Sequence, residues 1–157
     1  MKKIILMFGF VILMAACKSQ SPVNTKLDNK SEVAIKGDWT ITAVNYPGSD
    51  YIKVTSFDIA DSKCFVGSTW KFISNNNKGN MALTKPDCMA FASNITWYIN
   101  KEGQFVMKMI DAGVKRKRVI EGVILSVANQ TESSFQLIDR ISVGGKSVEV
   151  VYQFNRA

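Results

Sequence analysis

Histidine is absent from the 157-residue chain. Its absence removes Ser-His-Asp and Cys-His catalysis, and with them the commonest general base and metal ligand near neutral pH. Cysteine is scarce, at three residues, one of them at the exit of the N-terminal apolar run; the remaining two fall short of the four N/S ligands of a zinc site, or three plus water. No apolar run reaches the roughly 20 residues that a membrane-spanning helix needs. Helical patterns of 10–15 residues are missing between the strand-like segments, which argues against βαβ units. The acids fall at no informative spacing; Asp58 and Asp61 can meet near a loop, but a calcium site wants six or more oxygens in a close run. "GGKS" at residues 144–147 has the tail of a phosphate loop, yet the first glycine of G-x-x-x-x-G-K-S would fall on Arg140, so it reads as a hairpin turn. These absences leave no catalytic residue, cofactor or metal to assign, and the chain is expected not to be an enzyme.

The front end is a different matter. Met1-Lys2-Lys3 is a short basic start, and Ile4 to Ala16 carries no charge. A basic flank, a 7–15-residue apolar stretch and small residues at its exit describe a secretory signal peptide. The exit, Leu13-Met14-Ala15-Ala16-Cys17, resembles the lipobox of bacterial lipoproteins. The resemblance implies a signal peptide over residues 1–16 and an acylated Cys17 as the new N-terminus. Two or more acyl chains anchor stably where one does not, so a diacylglyceryl Cys17 holds the chain to a membrane. Residues 17–36 read as a flexible lipid-anchored tether: Ser, Gln, Asn, Thr, Lys and Pro22 cannot bury enough surface to offset their ordering entropy. No acidic run follows Cys17, so the expected location is the cell envelope, at the outer membrane on its periplasmic side.

Beyond Cys17 the cysteines are Cys64 and Cys88. In an exported chain an even pair reads as a disulfide. A loop of that size is worth roughly 3–4 kcal/mol by chain entropy. Lys2 and Lys3 leave with the signal, lowering the net charge from +7 to about +5. Outside the cytoplasm the anionic neighbours of such a chain are lipid head groups rather than nucleic acid.

Residues 37–157 suffice for one domain with one core, and their pattern is period two almost throughout. Trp39, Ile41 and Ala43 alternate with Asp38, Thr40 and Thr42. Trp70 and Phe72 flank Lys71, and Ile95, Trp97 and Ile99 share a face. So do Phe105, Met107 and Met109, then Val119, Val123, Leu125 and Val127 (with Glu121 intruding), then Phe135 and Leu137, then Val148, Val150, Tyr152 and Phe154. Such alternation marks half-buried antiparallel strands. Asn- and Gly-rich gaps, "NNNKGN", "NKEG", "ANQTES" and "VGGK", tolerate the positive φ of hairpin turns. Short hairpins make a meander, which hides its edges best by closing. The fold class is therefore all-β, one antiparallel up-and-down β-barrel of about eight strands, with a ninth short strand possible at residues 79–84. In "YIKVTSFDIADSKC" the parity breaks, which calls for a bulge or a strand followed by a helical turn near Asp61 to Lys63.

Gly37-Asp38-Trp39 resembles the G-x-W that opens the first strand of lipocalins. "CFVGSTWKF", "ITWYINKEG" and "VILSVANQTESSFQL" are similar to the lipocalin-like domains of small bacterial lipoproteins. The resemblance implies that Trp39 closes the barrel floor beneath an arginine near the last strand. Arg140 or Arg156 can fill that role, and Arg140 is the expectation, so Gly37, Trp39 and Arg140 form the expected closure. Trp70, Phe72, Trp97, Phe105, Met107 and Tyr152 would line the interior as the candidate ligand wall. Eight-stranded barrels are the size that side chains just fill or that holds one small ligand; the many large inward residues weigh toward filling, and both outcomes stay open. "KRKR" at residues 115–118 reads as a solvated hairpin end, or as a basic rim for an anionic head group.

The expected function is non-covalent binding of a small hydrophobic or amphiphilic molecule by a monomer tethered to a membrane. The alternative is a structural or protein-interaction module of the envelope with a filled core. A third option presents residues 61–67, braced by the disulfide, as an inhibitory loop. Replacing the expected acylation site (Cys17→Ala) is predicted to move the protein from the membrane to the soluble fraction; fractionation with immunoblotting checks it.

Overall fold

In a computed structural model, residues 29–49, 53–110 and 122–157 are described. The chain begins there with a helix, α1 (Asn29–Ile35), and passes directly into strand β1 (Gly37–Asn45). A short ribbon of β2 (Thr55–Ser56) and β3 (Ala60–Asp61) follows, then a 3-10 turn (Ser62–Phe65). Seven strands complete the fold: β4 (Thr69–Ile73), β5 (Lys78–Leu83), β6 (Phe91–Ile99), β7 (Gln104–Met109), β8 (Val123–Ala128), β9 (Ser134–Val143) and β10 (Lys146–Arg156).

Eight of these strands close into an antiparallel barrel, in the order β1-β10-β9-β8-β7-β6-β5-β4. Every neighbour along the sheet is a neighbour in sequence except at the seam, where β1 pairs with both β10 and β4. The inward side chains are the alternating ones: Trp70 and Phe72, Ile95, Trp97 and Ile99, Phe135 and Leu137, Val150, Tyr152 and Phe154 are all buried. A bulge between Ile41 and Ala43 shifts the β1–β10 register by one residue, which bends β1 over the end of the barrel. Gly79 lets β5 approach β4 closely, since a Cβ there would stand 2.1 Å from the Lys71 carbonyl oxygen.

The structure differs from the sequence-based expectations in two places. The expected tether over 17–36 is not a tether over its second half, because residues 29–35 form α1. Its Ile35 joins the barrel core and its Glu32 is buried; the core supplies the apolar partner that this short polar segment lacks on its own. Over the described residues 53–65 the parity break is a separate two-stranded ribbon and not a barrel strand, followed by the helical turn expected near Asp61 to Lys63, so the eighth barrel strand is β5, the optional short one. Asp61 caps the 3-10 turn, its carboxylate accepting from the Lys63 N–H at 2.9 Å. Residues 1–28, with Cys17, and residues 115–118, with their four cations, lie outside the described residues.

Cys64 and Cys88 are bonded, the pairing expected from the sequence. The bridge joins the 3-10 turn to the β5–β6 connection. The Cys64→Ala/Cys88→Ala pair is expected to lose roughly 3–4 kcal/mol, measured by urea titration, with the m-value rising as the unfolded chain is released from its crosslink.

Candidate functional site

The two ends of the barrel are built on opposite principles. One is sealed by α1 and the first turn of β1. Trp39, fully buried, donates its indole N–H to the Ile35 carbonyl at 2.7 Å and meets Phe135 edge-on with ring centres 4.7 Å apart. Over its outer face lies the Arg156 guanidinium, 4.2 Å from the ring centre, a cation–π geometry. Arg156 also donates from Nη1 to the Lys36 carbonyl at 2.7 Å, from Nε to that of Glu132 at 3.1 Å and from Nη2 to that of Ala34 at 3.4 Å. One side chain thus ties the last strand, the β8–β9 turn and the C-terminal end of α1. Gly37 makes room for it: at φ +123° it holds a backbone that other residues rarely adopt, and a Cβ there would stand 2.1 Å from Nη1.

Arg140, the expected closing residue, is not there. It faces outward on β9, paired with Glu149 at 2.9 Å and near Ser126. Register decides between the two arginines. Trp39 pairs with Arg156 across the β1–β10 seam, whereas Arg140 alternates outward beside the inward Asp139 in the other half of β9.

Above the sealed end, the interior is a continuous cluster of rings. Phe135 stacks on Phe154 at 4.6 Å, Phe72 meets Trp97 at 5.3 Å and Phe105 at 5.5 Å, and Trp97 stacks on Phe105 at 5.6 Å. Trp70 stacks on Phe72 at 6.0 Å. Four of the six expected wall residues, Trp70, Phe72, Trp97 and Phe105, therefore pack against one another and form a floor. Met107 is buried as well and pairs across the strands with Trp97.

Tyr152, the sixth, looks into the opposite half. Toward that half, Met81 and Met107 stand opposite Trp70 and Trp97 on the neighbouring strands, and Met109, Val123 and Val150 continue the buried wall, with two buried polar groups, Ser93 and Asp139, the latter 3% exposed. The segment 53–68 covers this mouth. Its Phe57 stacks on Tyr152 with centres 5.2 Å apart and meets Phe65 at 5.1 Å. Ser56 and Tyr152 share a hydrogen bond of 2.5 Å between their hydroxyls, and Tyr46 bonds Ser62. Ser68 accepts from the Trp70 indole at 2.8 Å and donates to the Phe65 carbonyl at 2.6 Å. Phe57 and Asp58 both hold positive φ, 54° and 57°, an uncommon conformation for residues other than glycine that costs energy and clusters at functional segments.

This cover was not legible in the sequence. Ser56, Phe57, Phe65 and Asp139 were not among the expected site residues. The signal that points to the segment is the parity break between Val54 and Phe57, followed by a cysteine.

A family model for the lipocalin-like domain matches residues 35–136. Among solved structures, the chain is similar to a lipocalin-like protein from Bacteroides uniformis, at 12% identity and a TM-score of 0.49, over 79% of this chain and 99% of that one. It is also similar to bovine odorant binding protein in complex with a selenium-containing odorant, at 8% identity and a TM-score of 0.45, over 80% of this chain and 72% of that one. No curated protein matches the chain.

Arg156→Met is expected to cost about 2–4 kcal/mol, through the lost ring contact and the stranded carbonyls of α1. Arg140→Met is expected to stay within about 0.5 kcal/mol, as an exposed ion pair allows. Denaturant titration of both variants separates them.

Proposed function

The chain belongs to the family of lipocalin-like domains, and from that premise we propose that it binds one small apolar or amphiphilic molecule, non-covalently and without catalysing a reaction, in the mouth half of its barrel. The observation that carries the reading is the contrast between the halves. The floor is a locked stack of aromatic rings, while the mouth half has an aliphatic and methionine wall, a few placed polar groups and a separate cover. Methionine walls adapt to irregular apolar guests, and sparse polar groups in an apolar lining orient a ligand. The site residues in this reading are Phe57, Met107, Met109, Tyr152, Ser56 and Asp139, with Phe57 as the group displaced when a guest enters. Each Å² of apolar ligand surface removed from water there contributes about 25 cal/mol.

The same proposal includes the lipid anchor. Its support is the Leu-Met-Ala-Ala-Cys exit ending at Cys17 and the start of α1 at Asn29. The protein would then work as a monomer on the periplasmic side of the outer membrane. A filled barrel serving as a protein-interaction module is the second reading. It is favoured by one observation: Phe57, stacked on Tyr152, occupies the space that a guest needs.

Native mass spectrometry of protein purified from envelope extract, with tryptophan quenching across a fatty-acid panel, tests the pair. A bound mass and saturable quenching are expected. Phe57→Ala is predicted to bind a fluorescent fatty acid roughly tenfold more tightly, because one stacked ring pair worth up to about 1.5 kcal/mol no longer has to be broken. No bound mass and no quenching, in either the parent or the Phe57 variant, would assign the chain to the interaction module.

A further inference from the structure

Outward positions of a water-facing sheet are expected to be polar, and on one wall of this barrel they are not. Tyr98 pairs with Val106, and Val106 with Ile124, so three apolar side chains form one row across the outer face of β6, β7 and β8, with the central Val106 itself buried between its exposed neighbours. Tyr98 is 45% and Ile124 58% exposed, and Ile110, just beyond β7, is 57% exposed. One step along the same strands runs a second row, Lys78–Thr96–Lys108. Strands β5 to β8 contain no Asp or Glu. Two shallow grooves flank the basic row. One, of about 450 Å³, brings Lys108 beside Tyr98 and Ile124; the other, of about 390 Å³, brings Lys78 beside Ile110. Each groove therefore joins one ammonium to one exposed isoleucine.

The described chain begins at α1, against the sealed ends of β6 and β8 that border this wall. The N-terminal part of α1 is fixed to it twice. The Glu32 carboxylate accepts from the Ile99 N–H at 3.1 Å, one residue from Tyr98, and the Ser31 carbonyl accepts from Gln130, in the β8–β9 turn, at 3.0 Å. Residues 18–28 span at most about 40 Å fully stretched and about 18 Å on average for a chain without structure. A chain acylated at Cys17 would keep the barrel within about 40 Å of the bilayer; which side turns to it is then set by the surface the barrel presents.

We propose that the β6–β7–β8 wall is a membrane-contact face, seating Tyr98, Ile124 and Ile110 among the head groups of an anionic bilayer while Lys78 and Lys108 meet lipid phosphates. The inference rests on the anchored reading above and adds an orientation to it: the barrel lies on its side. Aromatic and aliphatic groups of this kind settle at the head-group boundary. Lysines near such a surface add attraction that salt weakens.

The test reconstitutes the full acylated protein on phosphatidylcholine vesicles, with and without phosphatidylglycerol, carrying brominated acyl chains. Tyr98→Trp places a reporter on the wall, and Thr42→Trp places one on β1, across the barrel from β7. Quenching at position 98 is expected to exceed that at position 42 by about twofold or more, given burial to head-group depth. Phosphatidylglycerol should strengthen it only while Lys78 and Lys108 are intact, and Lys78→Gln/Lys108→Gln should abolish that increment. Equal quenching at both positions, or none at position 98 in protein that floats with the vesicles, overturns the proposal. If the protein does not float, the anchor reading falls, and the unacylated Cys17→Ser chain decides the matter. Its sedimentation with phosphatidylglycerol vesicles must occur and must drop about tenfold in Tyr98→Ser/Ile124→Ser; otherwise the proposal is wrong. A lipid-free dimer that Tyr98→Ser dissolves would give the wall to a second copy and likewise overturn it.

Discussion

A barrel exists only if one strand satisfies hydrogen-bonding partners on both edges, and here that strand is β1. Its first residues, Gly37 to Thr40, pair with β4, while Trp39 to Asn45 pair with β10. Without β1, the remaining seven-stranded sheet would leave β4 and β10 with unpaired edges, a liability that closure removes. The conditions for closure are concentrated in a few residues. Gly37 supplies a backbone conformation and a vacancy, Arg156 fills that vacancy, and Trp39 lies under the cation and over the ring floor. Ile41, just before the bulge, exchanges backbone hydrogen bonds with Gly67 and Ser68 at the end of the cover, and the bulge then carries β1 on toward the mouth.

Rigidity grades along the barrel axis as a result. At the sealed end, rings from β1, β4, β6, β7, β9 and β10 interlock, and aromatic contacts of this kind add to the stabilisation from burial itself. Toward the mouth, the wall passes to methionine and valine, and the lid over it is a two-stranded ribbon of two residues per strand, a size with little stability of its own. What keeps that ribbon in place is Phe57 in its ring contacts, two hydroxyl pairs and the bridge at Cys64. In the proposed function, the half under the cover would receive the guest and the ring-packed half would support it, within one small domain and one core.

The alternation at residues 39–43, 69–72, 95–99, 105–109 and 148–154 made the barrel strands legible, because inward and outward environments differ sharply in polarity. G-x-W marked the start of the barrel for the same reason that Gly37 and Trp39 are needed together there. The closing arginine was misplaced because side-chain chemistry cannot tell Arg140 from Arg156; only the cross-strand register does. Helix α1 was hidden because "NKSEVAI" has few apolar residues, and its stability comes from the barrel floor it covers. Phe57 and Asp58 were hidden because their positive φ is imposed by tertiary packing and not by the glycine or asparagine that usually announces it. Asp139 looked like one more acid on a strand, and its burial follows from parity against Leu137 and Ile141 rather than from residue type.

The Cys64–Cys88 link has a mechanical meaning. A pull applied at the N-terminal side of α1 would enter at α1 and β1 and strain the β1 seam first. Residues 64–88 lie wholly outside that seam strand and form a covalent ring around the β4–β5 hairpin. Peeling β1 away would therefore leave this hairpin still clipped, a scaffold on which the sheet can re-zip once the pull is released.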